Sequence, residues 1–308
     1  MQIIRGTTDF KIEDKSAIAI GKFDGIHRGH IKLLSYILAQ KKRGFKAVAF
    51  TFDPPASVFF GRAREKELSP LEEKRSFFEK IGIDILVEFP FNKKTAAIPA
   101  EIFVEEILAK QMHAAYIAAG SDLSFGYKGS GDKEMLRSLS GQFGYQVEII
   151  DKVLDGEREI SSSYLREEVE AGNMEKAAEL LGRSYSITGI VETGKKLGRR
   201  LGMPTLNLYP PENKLLPPNG VYYARIITEE GNYNGITNIG QKPTVNDTRA
   251  VSVETYLYGF EGDMYGKKIT VELIRFKRPE RKFDNVEELK KQMEADVAEG
   301  RKFHSNII

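Results

Sequence analysis

Residues 16–30 read SAIAIGKFDGIHRGH. The run Ser16–Ile20 has the length and apolar character of a buried strand. A loop follows at once, with glycines at 21, 25 and 29 that let a backbone approach a ligand closely. Two of the chain's 4 histidines, His27 and His30, fall in this loop. Ile31, Leu33, Leu34, Ile37 and Leu38 then recur at helical spacing until Gly44 stops the helix. The start of that helix offers unpaired N–H groups and a positive dipole end to an anion. His27 and His30, at i and i+3, share one side of its first turn. Two imidazoles plus free amides make a phosphate site. The competing reading is a glycine-rich turn carrying surface histidines; HxGH directly after the first strand of a βα unit favours the phosphate site. A zinc site on the same histidines lacks a third ligand at metal spacing.

Outward from this unit the same grammar repeats. Residues 46–52, 83–89, 114–119 and 145–150 read as strands. Helices are expected from a Ser69-Pro70 start to about Gly82, over 99–112 and over 132–143. Strands alternating with helices of this length imply an α/β domain with a parallel sheet. Its ligands should sit beyond the carboxyl ends of the strands, so the loops after Ile20, Phe52 and Ala119 should line one crevice. The loop 120–131, GSDLSFGYKGSG, brings Asp122, Phe125 and Tyr127 there. Its glycines suit a mobile flap, and its aromatic rings suit stacking on a flat ring; a plain surface loop reads the composition equally well. Residues 160–166, ISSSYLR, place Ser161, Ser162 and Ser163 ahead of a helix over 167–171, with Arg166 as a charged partner. Such hydroxyls are ordinary caps, and they also suit phosphate oxygens.

A helical stretch over 174–181 leads to Gly182-Arg183, and there the pattern changes. Segments 185–191, 221–228, 233–239, 251–258 and 269–276 read as strands with no helix between them. This predicts a small antiparallel β-barrel, followed by a terminal helix over 285–298 capped by Asp284. The expected division is thus residues 1–182 and 183–308. The barrel half opens with a basic glycine loop, 194–202, containing Gly194 and Gly198, which as a rule is a solvated charged stretch and is not a P-loop. Met203, Pro204, Thr205, Leu206 and Asn207 follow. If extended, Thr205 and Asn207 share a face and offer hard oxygen ligands suited to Mg²⁺ held mainly by phosphates and water. In 251–257, VSVETYL, Glu254 lies on the face opposite Val251, Val253 and Leu257. A solvent-facing glutamate is common on strands, but a carboxylate so placed can also take the proton of an alcohol being phosphorylated.

The 308 residues suit about two domains of ~150 residues. Lys plus Arg is 46 against 44 for Asp plus Glu, a net charge of +2, which argues against a general nucleic-acid binder. The absence of cysteine excludes disulfides, thiolate catalysis and cysteine-ligated metals. No apolar run approaches the ~18 residues of a membrane span, and the first residues show no secretion signal. A cytoplasmic protein without membrane or nucleic-acid partners is expected. Nothing in the sequence fixes an oligomeric state.

HxGH with a downstream ISSxxxR resembles the nucleotidylyltransferase superfamily. GKFDGIHRGH, TFDPP, GSDLSFG and ISSSYLR are closer still to the first module of the prokaryotic bifunctional riboflavin kinase/FAD synthetases. MPTLN, NIGQKPT (238–244), the VETY around Glu254, and MYGK (264–267) resemble the riboflavin kinase module of the same family. The resemblance runs essentially the whole chain. It implies a Rossmann-like nucleotidylyltransferase domain before the barrel, with riboflavin, FMN, ATP and FAD as substrates and products and Mg²⁺ accompanying ATP. It also implies that His27, His30, Ser161, Ser162 and Arg166 bind the triphosphate, with Gly21, Phe23, Asp24, Gly25 and Gly29 in the same loop. Asp122 and Phe125 would lie in the flavin or nucleotide loop. Thr205 and Asn207 would assist Mg–ATP beside Gly194, Gly198 and Pro204, and Glu254 would be the base. The chain departs from the family pattern SSTRIR at Ser163 and Tyr164, and carries Tyr256 where a histidine is frequent. Competing readings are a kinase with an idle adenylyltransferase half, a flavin-binding regulator without turnover, and an unrelated adenylyltransferase sharing HxGH.

Overall fold

The computed structural model describes residues 1–61, 66–193, 198, 202–243 and 249–306. It divides into two units, Met1–Tyr164 and Leu165–Ile308.

Small and large residues alternate along Ser16–Ile20, and this alternation sets the layers of the first unit. Strands β1 (Gln2–Arg5), β2 (Ser16–Ile20), β3 (Lys46–Asp53), β4 (Ile85–Pro90), β5 (Ala114–Gly120) and β6 (Gln146–Ile150) form one sheet in the order β1-β4-β3-β2-β5-β6. Every pairing in it is parallel. Ala17 and Ala19 face a core containing Leu34, Ile37, Phe23 and Phe78. The short alanine side chains let the helix Arg28–Ala39 approach the sheet closely. Ile18 and Ile20 face the opposite core with Phe50, Phe89 and Phe103. From β2 the chain builds outward through β3 and β4, then crosses to the other side for β5 and β6. The switch in strand order therefore lies beside β2, and the loop after Ile20 emerges there.

Three local expectations are corrected. Pro70, not Ser69, is the cap residue of the helix Leu71–Ile81: the helix starts one residue later than expected, and the N–H of Ser69 donates to Asp24. The helix expected over 99–112 is a short α-turn, Ala100–Ile102, that continues as a π-helix, Phe103–Gln111. The helix expected over 167–171 begins earlier, as Ser162–Ala171. The Ser161 hydroxyl accepts the N–H of Tyr164 at 3.2 Å and so ends the preceding strand-like segment. A small hairpin, β7 (Leu154–Asp155) and β8 (Arg158–Glu159), precedes it.

In the second unit the helix Met174–Leu181 packs on two strands of an antiparallel sheet. The strands are β9 (Tyr185–Ile190), β10 (Leu206–Leu208), β11 (Gly220–Thr228), β12 (Gly231–Pro243), β13 (Arg249–Leu257) and β14 (Lys268–Pro279), in the order β10-β13-β12-β11-β14-β9. The edges meet: the Glu192 N–H just beyond β9 donates to the Asn207 carbonyl of β10 at 2.8 Å. That bridge joins the two ends of the sheet, as a barrel requires. Ile187, Tyr222, Ala224, Ile226, Ile239, Val253, Val271 and Leu273 fill the interior. Outside, Tyr223, Ile236, Tyr256 and Tyr258 pack under the terminal helix through Val297 and Phe303. That helix spans Val286–Ser305 and is capped by Asn285, whose side chain accepts the Glu288 N–H at 2.9 Å. It outruns the expected end near residue 298 because Phe303 stacks on Tyr223 and His304 is buried.

Candidate active site

The loop after β2 is forced into its shape. Phe23, Gly25 and Ile26 all have left-handed backbone angles, with φ of 50°, 80° and 45°. For residues other than glycine this costs about 1–2 kcal/mol each. Burial offsets it: Phe23 and Ile26 are 0% exposed. The Phe23 ring lies edge-on to Phe78 and against His30, with centroids 5.3 and 5.2 Å away. Phe23 therefore anchors the loop in the core, and its ring is not offered to a nucleotide as a cofactor-binding residue of this loop would be. The Asp24 carboxylate accepts the Ser69 N–H at 3.2 Å, and the Asp24 carbonyl accepts the Ser162 hydroxyl at 2.8 Å. The serine motif is thus tied to the HxGH loop by its second hydroxyl.

The loop ends on His27, the cap residue of the helix Arg28–Ala39, whose first turn holds no acidic side chain. The rings of His27 and His30 stack, with centroids 3.9 Å apart. A Cβ at Gly29 would come within 3.1 Å of the His27 ring, and one at Gly21 within 3.1 Å of the Phe23 ring. Burial, then the neighbouring His27, then Lys152, hold the His30 imidazole well below the ordinary histidine value. His30 Nδ1 is buried and has no hydrogen-bond partner among the described residues. A neutral, oriented imidazole at a helix N-terminus fits an incoming phosphate oxygen. Lys152, just past the end of β6, was missed by the sequence reading. It pairs with the Asp122 carboxylate at 2.5 Å and with Glu159 at 3.5 Å. Burial lowers its pKa, but the hydrogen bond and charge of Asp122, then those of Glu159, outweigh this and leave it raised. The rule that ligands gather at strand carboxyl ends was the available signal for it.

The loop 120–131 is not the open flap expected. Phe125 and Gly131 exchange two backbone hydrogen bonds, 3.0 and 2.9 Å, and the Tyr127 N–H donates to the Ile98 carbonyl at 2.7 Å. Phe125 is 4% exposed and packs on Phe103, so it cannot stack on a ligand ring. Gly126, at φ 72°, approaches Ala100 so closely that a Cβ there would lie 2.5 Å from its Cα. Tyr127 keeps an exposed ring. Tyr164, at the altered position of the serine motif, is buried. Its hydroxyl donates to the Asp155 carboxylate at 2.9 Å, and the Arg158 guanidinium lies 3.7 Å above its ring. Arg166 is half-buried on the same helix as Ser162.

The second site is built by strand register. Asn207 of β10 pairs directly with Glu254 of β13, and Glu254 pairs with Asn238 of β12. Directly opposite residues share a face, so these three polar side chains form a row across the sheet. Thr237 and Thr255 hydrogen-bond each other at 2.9 Å, buried on the other face. Asn207 is 5% exposed, and its Nδ2 donates to the Thr205 carbonyl at 3.4 Å. Pro204, Thr205 and Asn207 line a cavity of about 210 Å³ with Leu257, Phe260 and Met264. Gly198 packs against this segment: Met203 N–H donates to its carbonyl at 2.8 Å, and a Cβ on it would lie 2.4 Å from the Met203 carbonyl. Gly194 lies outside the described residues. The described residues hold no cluster of three or more acidic or histidine side chains arranged for a metal. A hydroxyl and an amide oxygen fit Mg²⁺ held chiefly through a nucleotide's phosphates and water, and do not fit a dedicated protein cage.

Two family models match this chain, the FAD synthetase model over residues 9–164 and the riboflavin kinase model over 181–304. The chain is 34% identical over 307 residues to the "Bifunctional riboflavin kinase/FMN adenylyltransferase" of Listeria monocytogenes, covering 98% of this chain and 96% of that protein. It is 35% identical over 300 residues to the protein of that name from Bacillus subtilis, covering 95% and 94%. The chain belongs to the bifunctional riboflavin kinase/FMN adenylyltransferase family. The Escherichia coli (strain K12) member is 31% identical, with 98% of each chain covered. A crystal structure from Streptococcus pneumoniae, described as a "macrolide-efflux protein", superposes with a TM-score of 0.82 at 27% identity over 96% of each chain. Both motif sets of the family thus map to one chain: HxGH and the serine turn in the first unit, and MPTLN with the strand glutamate in the second. Among the described residues, no helix is long and apolar enough to cross a membrane.

Proposed function

We infer that the chain makes FMN and then FAD. In the barrel unit, the riboflavin 5′-hydroxyl oxygen attacks the γ-phosphorus of ATP. Its proton passes to Glu254, the new P–O bond forms FMN, and ADP leaves. In the first unit, an oxygen of the FMN phosphate attacks the α-phosphorus of a second ATP, giving FAD and pyrophosphate. Glu254 supports the first step as general base because it sits between Asn207 and Asn238 beside the cavity at Pro204–Asn207. Thr205 and Asn207 would hold Mg²⁺, which screens the charge of the transferring phosphates. The second step needs no covalent protein intermediate. His27, His30 and the start of the helix Arg28–Ala39 orient the triphosphate, with Ser161, Ser162 and Lys152 as further donors. Asp122 keeps Lys152 charged and in place. We assign residues 1–182 to the adenylyltransferase and 183–308 to the kinase, and place both in the cytoplasm.

The observation that carries this reading is the stacked histidine pair, tied through Asp24 to the serine turn, on the same chain as the Asn207–Glu254–Asn238 row. Product analysis tests it. Protein incubated with riboflavin, ATP and Mg²⁺ should yield FMN and then FAD, separable by chromatography. FMN without FAD would overturn the second step, and unchanged riboflavin with unchanged FMN would overturn both.

A further inference from the structure

Asn238 flanks Glu254 in the row described above but takes no chemical part in either step, and it stands directly opposite Glu254 in the β12–β13 ladder. Its Nδ2 donates to Glu280 Oε1 at 3.0 Å, just past the end of β14. Glu280 reaches that position over Gly240, where a Cβ would lie 2.1 Å from its Oε1. Residues 238 and 240 alternate on one face of β12, so the Glu280 carboxylate lies along the face that presents Glu254.

This contact fixes the asparagine's orientation. An ionised carboxylate only accepts hydrogen bonds, so the amide must turn its NH₂ toward Glu280. The carbonyl oxygen, Oδ1, is then left as the amide's acceptor, on a residue directly opposite Glu254. Glu254 takes the proton of one alcohol. A polyol substrate has further hydroxyls on neighbouring carbons, each a donor needing an acceptor when water is excluded.

We propose that Asn238, oriented by Glu280, is a specificity-determining residue that accepts a hydrogen bond from a secondary hydroxyl of the flavin's polyol side chain. The proposal rests on the kinase reading given above. Glu280 is the positioning residue, and Gly240 admits it. A site built to bind a hydroxyl rejects the analogue that lacks it, because its own polar group is left unpaired.

The test compares riboflavin with a flavin whose side chain keeps the terminal hydroxyl and lacks the secondary ones. Full-length protein is assayed for phosphorylation of each. Asn238→Ala should lower kcat/KM for riboflavin about tenfold and leave the deoxygenated flavin within about twofold, the scale of one net hydrogen bond. Glu280→Ala should follow the same pattern more weakly, and Glu280→Gln, which keeps an acceptor oxygen, should restore discrimination. Gly240→Ala displaces Glu280 without deleting a polar group and should mimic Glu280→Ala even if Asn238→Ala fails to fold. Equal losses on both flavins, or no loss on either, would overturn the proposal while leaving an active wild type in place. A wild-type protein that phosphorylates neither flavin would overturn the functional reading, and this proposal with it.

Discussion

The two candidate sites are built by opposite means. In the first unit a tight loop does the work, with left-handed Phe23 and Ile26 nailed down by full burial and Asp24 bonded at both its backbone and its carboxylate. The histidines are then placed by helix geometry. In the barrel unit the polar groups are placed by register between neighbouring strands of the sheet, Asn207 beside Glu254 beside Asn238. The difference teaches where each site is vulnerable. A loop site fails when its packing fails, whereas a register site tolerates single side-chain changes without losing its frame.

The largest expected effect tests the register site. Glu254→Gln should reduce the kcat of riboflavin phosphorylation about a thousandfold, near 4 kcal/mol. The melting temperature and the FMN adenylylation rate should stay close to wild type. A parallel fall in melting temperature would mean that Glu254 is structural and the contrast is wrong. Next, Phe23→Ala should cost about 3 kcal/mol of stability, through the cavity it leaves and the release of the loop, measured by denaturant unfolding. Adenylylation should fall with it and phosphorylation should not. Retained stability would break the claim that the loop site depends on packing.

Gly29→Ala sharpens the contrast with less damage. The new Cβ would press the His27 ring at 3.1 Å, so adenylylation should fall about tenfold with little change in unfolding. Normal adenylylation would show that the stacked position of His27 is not required. The smallest effect is on acid stability. His30 has a lowered pKa in the folded protein, from burial first and then from His27 and Lys152. Below the unfolded value of about 6.5 the unfolded chain therefore binds more protons, and stability falls as pH falls. His30→Gln should flatten the drop in melting temperature between pH 7 and pH 5.5. An unchanged slope would assign it to other groups, among them His304, whose pKa burial also lowers.

Much of this organisation is legible along the chain. The alternation of apolar runs and amphipathic stretches gives the parallel sheet, and the later run of short strands gives the barrel, because periodicity is a local property. HxGH, the serine turn, MPTLN and Glu254 stand out for the same reason. Local pattern does not carry the inward turn of Phe23 and Phe125. Both sit in glycine-rich loops where an aromatic ring reads equally as ligand stack or as core. β1 was missed because Gln2–Arg5 is a short edge strand with mostly exposed side chains.

The sequence by itself determines the two architectures, their order, and the residue types available for phosphate and proton chemistry, since these follow from spacing and composition. Only the tertiary structure decides that Ser162 reaches Asp24, that Lys152 stands near the histidine pair, and that Asn238 and Glu280 join Glu254. Those partners lie outside one another's local stretch of chain, as Lys152 and Glu280 show in their bonds to Asp122 and Asn238 at 30 and 42 positions' distance. Contacts of that range depend on strand order and register, which packing of the whole unit selects and no single stretch of chain encodes.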